Sequence, residues 1–166
     1  MILTVREAQH ADRAAIRAVE EAAFGQPGEA RLVEALVAAG DAVLELVAER
    51  EGRIVGHVLF SRLMVESPGG ESVAAVALAP LAVAPEAQSR GVGAALVEEA
   101  HRRLRLAGET LSVVLGEPAY YGRFGYAHGR AAGFECDWQC EALQALAWGE
   151  APATGRLVYA PAFAEL

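Results

Sequence analysis

At 166 residues the chain is long enough for one domain, residues 1–166, with a sizeable core, and too short for two ordinary ones. A hydrophobic share of 54% beside 22% charged residues excludes a disordered chain. Fourteen basic residues, all arginine, against twenty-two acidic give a net charge of −8, which disfavours nucleic acid or an anionic membrane as partner and favours cationic substrates.

In chain order, residues 1–6 read as a first strand, and residues 8–24 as a helix with Ile16, Val19, Ala23 and Phe24 at helical spacing. Gly25 to Gly28 break it, and a second helix carries Leu32, Val33, Leu36 and Val37 to a stop at Gly40. Glu20, Glu21 and Glu29 flank the break, either as ordinary solvated helix charge or as contacts for an amine. Residues 43–49, 53–65 and 73–83, joined by turns at Glu51-Gly52 and Ser67 to Gly70, predict an antiparallel meander. His57 within it reads as a satisfied sheet histidine or as a base. Pro80 has no N–H for the ladder, so the third of these strands is expected to be bulged there.

An apolar strand then ends at Pro85, and a helix opens on Gln88-Ser89-Arg90-Gly91-Val92-Gly93. Glycines allow close backbone approach, and the free N–H groups of a first helical turn favour an anion such as a phosphate. Arg90 adds a charge to the same place. A Walker A loop is excluded, since no lysine is present. A Rossmann fingerprint has Gly91, Gly93 and a distant acid, Glu117, but Leu96 replaces its third glycine. The preceding meander also does not belong in a doubly wound parallel sheet.

Further on, residues 110–115 predict a strand parallel to the fourth across a helical crossover, and Pro118 starts a short helix holding Tyr120 and Tyr121. Residues 134–138 and 142–148 fit strands or one helix equally, and residues 156–159 predict a closing strand. Cys136 and Cys140 have no histidine near them in sequence, so reduced thiols are expected and no metal. No stretch reads as a secretory leader or reaches membrane-spanning length, so the expected location is the cytoplasm.

Two stretches together carry a resemblance. Gln88 to Gly93 matches Gln/Arg-x-x-Gly-x-Gly/Ala, the pyrophosphate loop of the GNAT superfamily of acetyl-CoA-dependent N-acetyltransferases. Val113-Val114-Leu115-Gly116-Glu117-Pro118-Ala119-Tyr120-Tyr121-Gly122-Arg123-Phe124-Gly125-Tyr126 resembles the second signature of that family, and its wording is close to the small bacterial YhbS-like branch. The resemblance implies a single α/β (α+β) domain. A mixed, mostly antiparallel sheet of about six to seven strands is flanked by helices, with a splayed parallel pair forming a slot for CoA. It assigns the cofactor to Leu81, Ala82, Val83, Gln88, Ser89, Arg90, Gly91, Val92, Gly93, Ala94 and Tyr121. A backbone N–H near Leu81 or Ala82 stabilises the oxyanion, Tyr121 is the general acid, and Tyr120 is expected in the core.

The implied activity is transfer of the acetyl group of acetyl-CoA to a primary amine of a small molecule or protein, in a ternary complex, by a monomer or homodimer. Two departures bear on the base. Residues 73–83 carry no carboxylate, and Gly116-Glu117 stands where many relatives have an asparagine. Glu29, His57, Glu117 or a water remain as bases, and a non-catalytic acyl-CoA-binding module remains as the alternative function.

Overall fold

The computed structural model describes residues 2–165. In chain order it has β1 (Leu3–Glu7), α1 (Arg13–Phe24), α2 (Gly28–Ala38), β2 (Ala42–Arg50), β3 (Arg53–Glu66), β4 (Ser72–Val83), α3 (Val92–Leu106) and β5 (Leu111–Leu115). The one-turn helices α4 (Pro118–Tyr121) and α5 (His128–Ala131) follow, then β6 (Phe134–Glu135), β7 (Leu143–Ala147) and β8 (Gly155–Val158). The strands form one eight-stranded sheet along β1-β2-β3-β4-β5-β7, with β8 pairing both β3 and β6. The stretch that fits helix or strand equally in sequence thus resolves into the short β6, a turn-rich connection and β7, and β6 brings the sheet to eight strands. Among the described residues no helix is long and apolar enough to cross a membrane.

Each face of the sheet is covered by helix. Leu96, Ala100 and Leu104 of α3 pack with Val58, Phe60 and Leu78 on one face. Gly56 permits this approach, because a Cβ there would stand 2.8 Å from Val92 and 2.9 Å from Leu96. On the opposite face Ile16 of α1 and Leu32 and Leu36 of α2 pack with Val47 and Leu59. The helical spacing of these apolar positions is what lets each helix bury a single stripe.

The expected irregularity at Pro80 is present. Along the β3–β4 ladder, Val58 pairs with Leu81 but Phe60 with Leu78, so Ala79 and Pro80 together face Leu59. Such a bulge bends the strand that carries the extra residue. The parallel pairing of β4 with β5 runs from Val76↔Ser112 to Leu78↔Val114 and stops at the bulge. Past that point the two strands separate, and a gap opens between the C-terminal half of β4 and the end of β5.

Candidate functional site

The gap has a bare backbone edge. The N–H of Ala84 donates to the Val55 carbonyl at 2.8 Å, so Ala84 faces β3. Antiparallel pairing alternates, which turns the backbone groups of Ala82 toward β3 and those of Leu81 and Val83 toward the gap. Of the two amides expected near the reacting centre, Leu81 is therefore the one on the open side. Ala82 is buried in the ladder opposite His57.

Two cavities meet at this edge, and both are lined by Phe24 and Leu81. The first, of about 620 Å³, lies over the start of α3 and is lined by Val83, Gln88, Ser89, Gly91, Val92, Gly93 and Ala94. Gly91 caps α3 with φ 80°, a left-handed conformation that suits glycine, and Ser89 also has positive φ at 63°. The side chain of Gln88 donates to the Val83 carbonyl at 3.1 Å and ties the loop to the strand. The amides that open α3 have no partner within the helix.

Two residues not singled out for this loop by sequence complete the cavity. Tyr120, expected in the core, is only partly buried and lines the loop instead. A Cβ on Gly93 would lie 2.2 Å from its hydroxyl, so any side chain there would push the tyrosine ring aside. Arg123 is the basic side chain that lines this cavity, its guanidinium stacked 4.6 Å from the Tyr120 ring centroid. Arg90, by contrast, is exposed and does not line it. The signal for Arg123 was its i, i+3 spacing from Tyr120, which puts both on the same side of one helical turn.

The second cavity, of about 460 Å³, runs between β4 and β5 and under the C-terminal segment. Tyr121 lines it, and so do the carboxylate-bearing Glu29 and Glu117. The ring of Tyr121 lies over Gly116, where a Cβ would come within 2.5 Å of it, and it meets Tyr126 edge to face at 5.9 Å. Tyr126 is the deep core aromatic of this region, bonded through its hydroxyl to Ser112 at 2.8 Å and His101 at 2.9 Å. Gly116, one of the departures noted in the sequence, thus makes room for Tyr121. Burial, with a smaller contribution from Tyr120, pushes the Tyr121 hydroxyl well above its ordinary pKa, so it keeps its proton at neutral pH.

The carboxylates flanking the helix break divide into three roles. Glu29 accepts from the Gln26 side chain at 3.1 Å and faces the cavity. Glu21 pairs with Arg17 at 3.1 Å. Glu20 is wholly buried, with one oxygen 2.6 Å from Nδ1 of His57 and the other without a hydrogen-bond partner among the described residues. His57 is also wholly buried, its Nε2 is 2.7 Å from Glu45, and it lines neither cavity. Its reading as a satisfied sheet histidine is the one the geometry supports, and the carboxylates that reach the cleft are Glu29 and Glu117.

A family model described as Acetyltransferase (GNAT) domain matches residues 4–129. The chain is 42% identical over 117 residues to an uncharacterized N-acetyltransferase, YjhQ, of Escherichia coli strain K12, covering 69% of this chain and 64% of that one. It is 36% identical over 128 residues to a second from the same organism, YhbS, covering 76% of this chain and 75% of that one. Among solved structures, a GNAT family acetyltransferase from Brucella melitensis in complex with acetyl-CoA superposes with a TM-score of 0.82 at 34% identity, covering 98% of both chains. Escherichia coli YhbS in complex with CoA superposes with a TM-score of 0.88 at 31% identity, covering 98% of this chain and 92% of that one. The fold that carries the bulged fourth strand, the open gap beside it and the glycine loop at the head of α3 is thus shared with these proteins, and the chain belongs to the GNAT acetyltransferase family.

Proposed function

We propose that this chain transfers the acetyl group of acetyl-CoA to a primary amine of a small molecule or protein by direct attack, with both substrates bound at once. The observation that carries the reading is the meeting of the two cavities at Phe24 and Leu81, a glycine loop on one side and a buried tyrosine with two carboxylates on the other. Acetyl-CoA fits the first cavity by its chemistry. The amides at the head of α3, with Gln88, Ser89, Gly91, Val92, Gly93 and Ala94 around them, suit a pyrophosphate, and Arg123 adds a positive charge. The open edge at Leu81 and at the Val83 N–H suits the amide-bearing arm, taken up like an added strand beside the Val83 carbonyl that Gln88 occupies.

When bound, acetyl-CoA supplies an activated thioester carbonyl, and the side chains and backbone do the rest. The Leu81 N–H donates to the carbonyl oxygen as negative charge develops there. Tyr121 holds its proton for the sulfur as the carbon–sulfur bond breaks. Glu29 and Glu117 attract the ammonium form of the acceptor and receive its first proton, directly or through water, and the second proton, lost by the nitrogen after attack, restores the Tyr121 hydroxyl through water. Within this reading the enzyme works in the cytoplasm, as a monomer or homodimer.

The test is incubation with acetyl-CoA and a panel of amines, with detection of free thiol and of the acetylated product by mass. Thiol release that depends on the amine supports the transferase. Stabilisation by acetyl-CoA with no transfer to any amine leaves the non-catalytic acyl-CoA-binding module in its place.

A further inference from the structure

The second cavity has a chemistry that narrows the acceptor. Resting on the acetyl-transfer reading, we propose that the acceptor is a small primary amine on an apolar body of aromatic size, an arylalkylamine, and not a polyamine or a peptide. Among the described residues, the charged side chains that line the cavity are Glu29 and Glu117. Among the described residues neither is in an ion pair; Glu29 meets the neutral amide of Gln26 at 3.1 Å and Glu117 a backbone N–H at 3.5 Å. A cavity with carboxylates and no lining arginine selects a cation.

The rest of the lining is apolar. Trp138, Tyr159 and Phe163 form one wall, with ring centroids 4.8 Å apart for Trp138–Tyr159, 5.2 Å for Tyr159–Phe163 and 6.1 Å for Trp138–Phe163. Two of the few large apolar side chains that the fold leaves exposed, Phe24 at 41% and Leu115 at 48%, also border this cavity. Exposed apolar surface gathered around a cleft is what an apolar ligand covers. The volume of about 460 Å³, shared with the acetyl end of the cofactor, is that of a small-molecule site.

The competing acceptors fit less well. A polyamine brings further ammonium groups against an aromatic and aliphatic wall that offers them no carboxylate. A peptide needs backbone partners, and the free strand edge in the cleft is the one assigned to the acetyl-CoA arm.

The test compares 4-phenylbutylamine and tryptamine with propylamine, putrescine, spermidine and a lysine-bearing peptide at saturating acetyl-CoA, reading free thiol and product mass. The aryl amines are expected to exceed propylamine and putrescine about tenfold or more in kcat/KM, a modest return for burying a ring. Trp138→Ala should raise KM for 4-phenylbutylamine about tenfold while changing it little for propylamine. Leu115→Asn, at an exposed position that endangers the fold less, should act in the same direction. Retained stabilisation by acetyl-CoA shows that each variant is folded.

Preference for putrescine, spermidine or the peptide overturns the acceptor class and leaves acetyl transfer standing. Titration of 4-phenylbutylamine into the CoA-saturated protein, followed by tryptophan fluorescence, reads binding without turnover. Binding without transfer to any amine supports the ligand class and overturns the transferase reading; neither binding nor transfer overturns the proposal.

Discussion

Nδ1 of His57 lies 2.6 Å from a carboxylate oxygen of Glu20, and both side chains are wholly excluded from water. On the other side of the ring, Nε2 is 2.7 Å from Glu45, which in turn pairs with Arg13. With its ring protonated, His57 between two carboxylates and an arginine beyond would let four ionisable groups sit under α1 with their charges balanced. A cluster of this kind is costly to interrupt, because removing one member strands the others in a medium that does not solvate them.

His57→Ala should therefore cost about 3–5 kcal/mol of stability, the usual cost of breaking a buried ion pair by removing one partner. The measurement is equilibrium urea unfolding of variant and parent. Replacing Glu20 and His57 together by leucine should recover much of that loss, since no buried charge is then left alone. A loss below about 1 kcal/mol in His57→Ala would show that the cluster is hydrated in solution.

The same cluster sets a pH dependence. Burial works against the charge on His57, but its hydrogen bonds to Glu20 and Glu45 outweigh burial and hold its pKa above the ordinary value. A raised histidine contributes stability that is full below about pH 6.5 and is lost as pH rises through the folded value. Glu20 is pushed up by burial against the pull of His57, so its contribution too is lost with rising pH, from its ordinary value of 4.5 upward. Glu45 goes the other way: burial is outweighed by His57 and Arg13, and its contribution is lost as pH falls below 4.5 through its lowered value. Stability should therefore peak in mildly acidic solution and fall above pH 6.5. Urea midpoints measured across that range should fall less steeply in His57→Gln; parallel profiles would contradict the assignment.

The sequence makes some of these features plain and hides others, for physical reasons. The loop from Gln88 to Gly93 is legible because its glycines answer local demands: a left-handed φ at Gly91 and the tyrosine hydroxyl beside Gly93. The break in β4 is legible because Pro80 cannot donate to a ladder. The His57 cluster is not, because its partners lie 37 and 12 residues away, and Glu20 sits in a helix whose neighbouring acid, Glu21, is paired at the surface. Nothing in a helical row of charges says which one the sheet will bury. Arg123 and Tyr120 are missed for a related reason: their i, i+3 spacing puts them on one side of a turn, but a one-turn helix has no longer period to show that this side meets the loop.

The contact between Gly93 and Tyr120 gives a paired prediction. Gly93→Ala puts a methyl against the Tyr120 hydroxyl, the end of a half-buried side chain that can swing aside, and should cost at most about 1 kcal/mol, with weaker acetyl-CoA binding because the ring must shift into the loop cavity. Tyr120→Phe removes the clashing oxygen, so the double variant should regain most of the stability. Gly93→Asp should abolish binding even with Tyr120→Phe, since a carboxylate then faces the pyrophosphate. Thermal unfolding with and without acetyl-CoA compares these variants with the parent, and strictly additive losses in Gly93→Ala/Tyr120→Phe would contradict the contact.

Two arginines near the loop should differ. Arg123 lines the cavity and stacks on Tyr120, whereas Arg90 is exposed and stands outside it. Arg123→Ala should weaken acetyl-CoA binding by about 1–3 kcal/mol, as for a lost charge-assisted contact, and should lessen the salt dependence of binding. Arg90→Ala should cost less than half as much. Calorimetric titration at low and high salt decides, and the reverse order would return the phosphate contact to Arg90.

Tyr121 and Tyr120 are adjacent in sequence and face different cavities, which separates chemistry from cofactor binding. Tyr121 borders the cleft, and burial keeps its hydroxyl protonated across the neutral range, as a proton donor requires. A thiolate is a good enough leaving group to depart partly unaided, so Tyr121→Phe should lower kcat about ten- to a thousandfold rather than abolish it. Phenylalanine keeps the ring over Gly116 and against Tyr126, so stability and acetyl-CoA affinity should change little. Tyr120→Phe should do the opposite, altering KM for acetyl-CoA through the loop cavity while leaving kcat within a few-fold of the parent. Steady-state kinetics on a confirmed amine, with kcat and KM resolved for both substrates, makes the comparison. A large loss of kcat in Tyr120→Phe with none in Tyr121→Phe would move the proton donor to the loop side. Full turnover in both would mean that the thiolate leaves without a tyrosine to protonate it.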